Sequence, residues 1–172
     1  MIVEITDKSI SLRPIQDEDT SVLCNIYGST REKELQQVTY WTAEQKQSFI
    51  AQQFFAQHEY YQKNYVGAAF YVIKKNKETI GRLYIHQNFQ EKGVRIIDIA
   101  LLPKWQNQGI GKGILQDILR SAEKIGNPVS IHVESFNPAK GLYERLGFKK
   151  ISETNGVYHL MEWKAAEVVI KA

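Results

Sequence analysis

The residues Gln106-Asn107-Gln108-Gly109-Ile110-Gly111-Lys112-Gly113 stand between an apolar run, 96–102, and a segment with clear helical periodicity. A helix that begins there aims unpaired backbone N–H groups and the positive end of its dipole at the loop. The glycines let an anion approach the main chain, so the chemistry this spacing suits is the binding of a phosphorylated cofactor. Two familiar phosphate loops fail on spacing. A dinucleotide fingerprint starting at Gly109 needs glycine where Ile114 stands, and no βαβ unit precedes it. A P-loop ending in Gly111-Lys112 needs Ser or Thr next and a glycine at position 106, where the chain has Gly113 and Gln106.

A second constellation is Asn137-Pro138-Ala139-Lys140-Gly141-Leu142-Tyr143-Glu144-Arg145-Leu146-Gly147-Phe148. Asn137 suits a helix N-cap, Pro138 the first helical position, and Gly147 the left-handed residue that stops a helix. Leu142 and Leu146, at i and i+4, are expected on the buried face, with Tyr143 turned about 100° away toward a cleft.

The first segment resembles the Q/R-x-x-G-x-G/A loop of the GCN5-related N-acetyltransferases (GNAT), with Gln106, Gly109 and Gly111 in register. The second resembles that family's N-x-x-A-x-x-x-Y-x-x-x-G-F signature in outline. The two follow in family order, and the resemblance extends over about residues 68–163. It implies an α/β fold of the α+β type: a mixed, mainly antiparallel sheet of six to seven strands with helices on both faces. A cofactor cleft would lie between splayed central strands, the one ending at Leu102 and the one beginning near Val129. The cofactor it implies is acetyl-CoA, its pyrophosphate held by the amides of Gln108, Gly109, Ile110, Gly111, Lys112 and Gly113, with the Ile110 side chain in the core. The main chain of Ile99, Ala100, Leu101 and Leu102 would bond the pantetheine like an added half-strand, and a free N–H there could polarise the thioester. Tyr143 would meet the cofactor's sulfur. Asn137 would contact the cofactor or only cap its helix.

Acetyl transfer to an amine also needs an acid for the departing thiolate and a route for the amine's proton. Tyr143 fits the acid: a phenol with a pKa near about 10 can protonate a thiolate whose acid is near about 8.5. The glutamate that relatives carry in the fourth strand falls here on Arg95, which accepts no proton. Asp98 has the opposite strand parity and is expected on the other face of the sheet, in a structural role. Glu134, His132 and a water chain remain as bases, with Glu134 first. The acceptor is expected to enter past Arg31, Glu32, Glu34, Tyr40, Trp41, Asn155 and Tyr158, a mixture that fits a small-molecule or peptide amine.

The elements needed to hold these groups are legible. A strand over 9–15 leads to a helix opened by Asp17, Glu18 and Asp19 and ending near Tyr27. Thr42-Ala43-Glu44-Gln45 is a capping box for a second helix that carries Phe49, Ile50, Phe54 and Phe55 inward. A hairpin of 68–74 and 79–86 and a strand over 95–102 precede the phosphate loop. Ile110, Ile114, Leu115, Ile118, Leu119 and Ala122 stripe the helix after it, which Gly126 ends. A strand over 129–134, the Asn137 helix and a hairpin turning at Thr154-Asn155-Gly156 complete the order.

A chain of 172 residues fits one domain, 1–172, around one core. Its 43% hydrophobic and 24% charged residues are ordinary for a soluble protein, and no linker tract interrupts them. The start, Met1-Ile2-Val3-Glu4-Ile5, has no secretion-signal pattern, so a cytoplasmic site is the default. A net charge of +3 gives no footprint for nucleic acid, and no apolar run suits a membrane. The single cysteine, Cys24, reads as a structural thiol, and the four histidines lack metal-ligand spacing. The expected function is acetyl-CoA-dependent N-acetyl transfer to a primary amine, by a monomer or homodimer. A non-catalytic acyl-CoA sensor or partner-binding module, or a transferase for a longer acyl group, remain as alternatives.

Overall fold

The computed structural model describes residues 3–166. Met1 and Ile2, used in the N-terminal reading, and the outer ends of the expected 1–172 domain lie outside the described residues. A seven-stranded mixed sheet has the order β1-β2-β3-β4-β5-β7-β6. Its strands are β1 (Ile10–Pro14), β2 (Ala69–Lys75), β3 (Glu78–His86), β4 (Val94–Leu101), β5 (Val129–Glu134), β6 (Lys149–Thr154) and β7 (Tyr158–Trp163). The helices are α1 (Thr20–Gln36), α2 (Ala43–Asn64), α3 (Ile110–Lys124) and α4 (Lys140–Arg145). β4 and β5 pair in parallel through Val94↔Val129, Arg95↔Ser130 and Ile96↔Ile131. β1 with β2, β5 with β7, and β6 with β7 are antiparallel.

The chain forms two compact units. One comprises Lys8–Tyr84 and Asp98–Gly111. Its core is Leu23, Ile26, Tyr27, Phe54 and Val72, with Ala100 and Leu102 packed against it, so even-numbered residues at the end of β4 face α1 and α2. Thr42 and Gln45 form the expected capping box, each side chain accepting the other's backbone N–H at 3.1 and 2.8 Å. The expected stop near Tyr27 is wrong: after a 3-10 turn over Asp17–Asp19, α1 runs nine residues further, to Gln36. Gly28 does not break it. A Cβ there would stand 3.1 Å from Ile50 Cγ2, so the missing side chain is what lets α2 lie close to α1. On α2 the expected inward set also needs correction, because Phe54 is buried while the adjacent Phe55 is 53% exposed. The buried stripe of α2 takes in Phe54 and leaves Phe55, about a hundred degrees further round the helix, outside it.

The other unit holds the described residues up to Asp7, Ile85–Ile97, and the described chain from Lys112 onward. Ile114, Leu115, Ile118 and Ala122 are buried along α3, as its stripe requires. Thr6 fastens the N-terminal segment to that helix: its N–H and hydroxyl donate to the buried Asp117 carboxylate at 3.0 and 2.7 Å, and Arg120 pairs with the same group. β6 and β7 are joined by Asn155, Gly156 and Val157; Asn155 and Gly156 are left-handed, with φ of 53° and 69°, and Val157 N–H donates to the Thr154 carbonyl at 3.0 Å.

Candidate active site

The expected phosphate loop is built as a helix entrance. β4 ends at Leu101, a 3-10 turn spans Pro103–Trp105, and α3 begins at Ile110. Two glutamine side chains tie the loop down: Gln106 Nε2 donates to the Leu101 carbonyl and Gln108 Nε2 to the Lys104 carbonyl, each at 2.8 Å. Asn107 and Gly109 are left-handed, with φ of 61° and 79°. Around Gly109 and Gly113 nothing lies within 4 Å of where a Cβ would be, and at Gly111 only Leu101 Cδ1 does, at 3.7 Å. The main chain there is open to a ligand, the first N–H groups of a helix have no intrahelical partner, and Lys104 and Lys112 are exposed beside it. These residues fit a pyrophosphate. Ile110 is half-buried.

The half-strand expected of Ile99, Ala100, Leu101 and Leu102 is narrower than four residues. Leu102 N–H donates to the Ile80 carbonyl at 2.8 Å, and the Leu101 carbonyl accepts from Gln106. Successive N–H groups of a strand point to opposite edges, so Ile99 and Leu101 N–H face away from β3. Those two donors suit a pantetheine amide or a thioester carbonyl.

Tyr143 is not where the helical phase put it. It is the buried residue of α4, 4% exposed, while Leu142 and Leu146 are half-buried. A six-residue helix has little face to bury, and the chain returns over it: Gly147, at φ 102°, brings Phe148 N–H to the Tyr143 carbonyl at 3.0 Å. The Phe148 ring then packs edge-on against Tyr143, centroids 5.8 Å apart. Asn137 precedes the helix by more than a cap, since α4 begins at Lys140. Its Oδ1 accepts from Ala139 N–H at 2.9 Å and its carbonyl from Lys140 N–H at 3.0 Å, a turn that feeds the helix.

Glu134 ends β5 half-buried, opposite Tyr158, and its carbonyl accepts Asn137 N–H at 2.9 Å. His132 shares its strand parity. Lost solvation, and then the nearby Arg95 charge, hold the His132 imidazole below its usual pKa. Arg95 itself donates from Nε to Ser130 Oγ at 2.8 Å and lies 4.7 Å over the Phe89 ring. The residue at the relatives' glutamate position is thus held by its neighbours.

Asp98 has the other parity, as expected, and meets a partner that sequence reasoning missed. It pairs with Arg82, which is 2% exposed in the middle of β3. Arg82 Nη2 also donates to Gln57 Oε1 at 2.9 Å. The signal was available: Arg82 alternates with Ile80 and Tyr84 in an otherwise apolar strand, a position that demands a buried partner. Burial works against the Arg82 charge, but the Asp98 carboxylate together with Tyr84 and Tyr61 outweighs it, and the guanidinium pKa is raised. Burial, then the Asp98 charge, pushes the Tyr61 phenol well above its ordinary range. His58, stacked on Phe54 at 5.6 Å, is lowered by lost solvation and then by Arg82.

The expected acceptor wall is dispersed over α1, its connector to α2, and the last hairpin. Arg31 and Glu34 pair at 3.0 Å; Tyr40 is 82% exposed and edge-on to Trp41, which leans on Phe49. Glu32 lines a cleft of about 410 Å³ between α1 and α2, with Gly28, Lys46 and Ile50. None of the residues expected to hold the cofactor lines that cleft. Asn155 is in the hairpin turn and Tyr158 is exposed beside it. Cys24 is half-buried, its thiol pushed up by burial, in keeping with a structural role. Among the described residues no group of three metal-ligating side chains occurs, and no helix is long and apolar enough to cross a membrane.

Residues 21–148 match the acetyltransferase (GNAT) family, and the chain belongs to it. An N-alpha-acetyltransferase of Sulfurisphaera tokodaii is 29% identical over 104 residues, 53% of this chain and 62% of that protein. One of Saccharolobus solfataricus is 33% identical over 66 residues, 37% of this chain and 40% of that protein. The chain therefore spans less than two-thirds of these relatives' length. In fold it is similar to the PaiA N-acetyltransferase of Thermoplasma acidophilum, solved in complex with coenzyme A, with a TM-score of 0.65 and 20% identity over 91% of this chain and 99% of that one. The ribosomal-protein-S18-alanine N-acetyltransferase of Escherichia coli gives 0.60 and 15% over 95% and 98%.

Proposed function

We propose that the chain is a single N-acetyltransferase domain that uses acetyl-CoA to acetylate an amine by direct transfer. The observation that carries this reading is the open glycine main chain at the entrance of α3 in a member of the acetyltransferase family. Gln108 to Gly113 hold the pyrophosphate through their amides, and Gln106 fixes the loop by its bond to Leu101. Ile99 and Leu101 N–H bond the pantetheine and polarise the thioester. Asn137 shapes the turn before α4 and contacts the cofactor from there.

The acetyl thioester supplies an electrophilic carbonyl and a thiolate leaving group. With the cofactor bound, a neutral amine would form the C–N bond as the C–S bond breaks, and the Tyr143 hydroxyl would donate its proton to the departing sulfur. The proton lost by the amine passes to Glu134, directly or through water, and Tyr143 is reprotonated from solvent. Phe148 supports the Tyr143 role by fixing the direction of its ring. The acceptor is a small molecule or a peptide N-terminus, and the working unit a monomer or homodimer in the cytoplasm.

The test is thiol release from acetyl-CoA over polyamines, aminoglycosides and peptide N-termini. Amine-dependent release is the expected result. Saturable acetyl-CoA binding with no amine-dependent release at any pH would replace this reading by the non-catalytic sensor.

A further inference from the structure

Arg82 sits where an apolar side chain would pack as well. Its guanidinium lies 5.0 Å from the Tyr84 ring centroid and 5.9 Å from that of Tyr27, with Gln57 and Asp98 as its polar partners. Its buried Nε has no hydrogen-bond partner among the described residues. A charge held this way is costly, and a buried ion pair is weak evidence for a stabilising role. Asp98 differs from its partner in being accessible. Its side chain is 20% exposed, Arg82 engages Oδ2, and Oδ1 has no hydrogen-bond partner among the described residues. An ionised carboxylate oxygen left this way accepts a cationic donor.

The place on β4 gives this oxygen a use. Asp98 is followed by Ile99 to Leu102, the main chain assigned above to pantetheine and thioester, and shares its face with Ala100 and Leu102. Two residues along a strand advance about 7 Å, so a nitrogen held at Asp98 is one side chain's reach from a carbonyl placed along that main chain. The Tyr61 and Tyr84 rings, 5.9 Å apart and edge-on, flank the pair and remain neutral. We propose that Arg82 is a positioning residue that holds Asp98 to receive the acceptor's ammonium group, making amines that arrive as alkyl cations the substrate class of this site. This rests on the acetyltransferase reading. In it Arg82 supplies the aim, Asp98 the attraction, and deprotonation falls to a different group.

Asp98→Asn alone leaves Arg82 unpaired and risks the fold, so the decisive variant is Arg82→Met with Asp98→Asn, which removes both charges. Spermidine, 2-phenylethylamine and an alanine-initiated tripeptide are titrated calorimetrically into protein with and without bound coenzyme A, with 2-phenylethanol as the uncharged control. The expected result is binding of at least one amine, no comparable binding of the alcohol, and at least ten-fold weaker amine binding in the double variant. In turnover the amine KM rises by a similar factor while kcat and the melting shift caused by acetyl-CoA change little. Wild-type amine affinity and KM in a folded double variant would overturn the proposal, as would equal binding of amine and alcohol, or no amine binding at all. Failure of acetyl-CoA to bind would overturn the acetyltransferase reading instead, and the titration without cofactor would still decide the role of Asp98.

Discussion

Replacing Gly111 by aspartate should separate ligand binding from folding, because the two respond with opposite signs. A Cβ at Gly111 meets only Leu101 Cδ1, at 3.7 Å, an ordinary contact, and the residue lies in the first turn of α3. The substitution should therefore leave the unliganded protein at least as stable, with about a few tenths of a kcal/mol from helix propensity and about a few tenths more from an acid at a helix N-terminus. The bound pyrophosphate would meet the new carboxylate. At about 4 Å and an effective dielectric constant of about 20, each like-charge pair costs about 4 kcal/mol, enough to weaken binding about a thousand-fold. At a hundred times its dissociation constant acetyl-CoA should stabilise the wild type by about 2.7 kcal/mol, which for a chain of this size is about 5–10 °C in Tm. Scanning calorimetry with and without acetyl-CoA reads both effects. The variant should melt at or above the wild type alone and show no ligand shift. An undiminished shift would refute the assignment of this loop to phosphate. Gly109 is the wrong place for this test, since its φ of 79° would strain any other residue.

Tyr143→Phe keeps the ring that packs on Phe148 and removes the proton; turnover should fall about ten- to ten-thousand-fold with cofactor affinity unchanged, by steady-state kinetics and the same melting shifts. Glu134→Gln should lower the high-pH plateau of kcat/KM and move its apparent pKa toward that of the free amine, whereas an unchanged profile would assign the proton to water. His58 has a folded pKa below its unfolded value near about 6.5, so the unfolded chain binds more protons between the two values. Stability should accordingly be fully present above about pH 6.5 and fall as pH drops through the folded pKa; His58→Asn should flatten that slope in urea unfolding.

What was legible in the sequence is what local chemistry dictates. Gly126 and Gly147 are left-handed where a helix was expected to stop, Thr42 and Gln45 form their box, and the stripe from Ile114 to Ala122 is buried. The misreadings lie where a distant contact decides. The helix expected to end near Tyr27 runs on because Gly28 seats Ile50 of α2; Tyr143, expected toward a cleft, is buried against Phe148; Phe55 was counted inward with Phe54 and lies outside the buried stripe of α2. Arg82 and Asp98, sixteen residues apart, meet only because β3 and β4 bring them together under Gln57 of α2. Parity alone put Asp98 on the correct face, but nothing local named its partner.

The most direct measurement of the central claim is a mass-resolved single turnover: stoichiometric acetyl-CoA is mixed with the protein and an excess of the amine panel, and free thiol and acetylated amine are counted in the same quenched sample. Direct transfer predicts one acetylated amine for each thiol, with neither formed faster than the slow background when the protein is omitted, and both formed about ten- to ten-thousand-fold more slowly when Tyr143 is replaced by phenylalanine. Thiol released without acetylated amine, or acetyl-CoA bound and recovered intact with every amine, would contradict it.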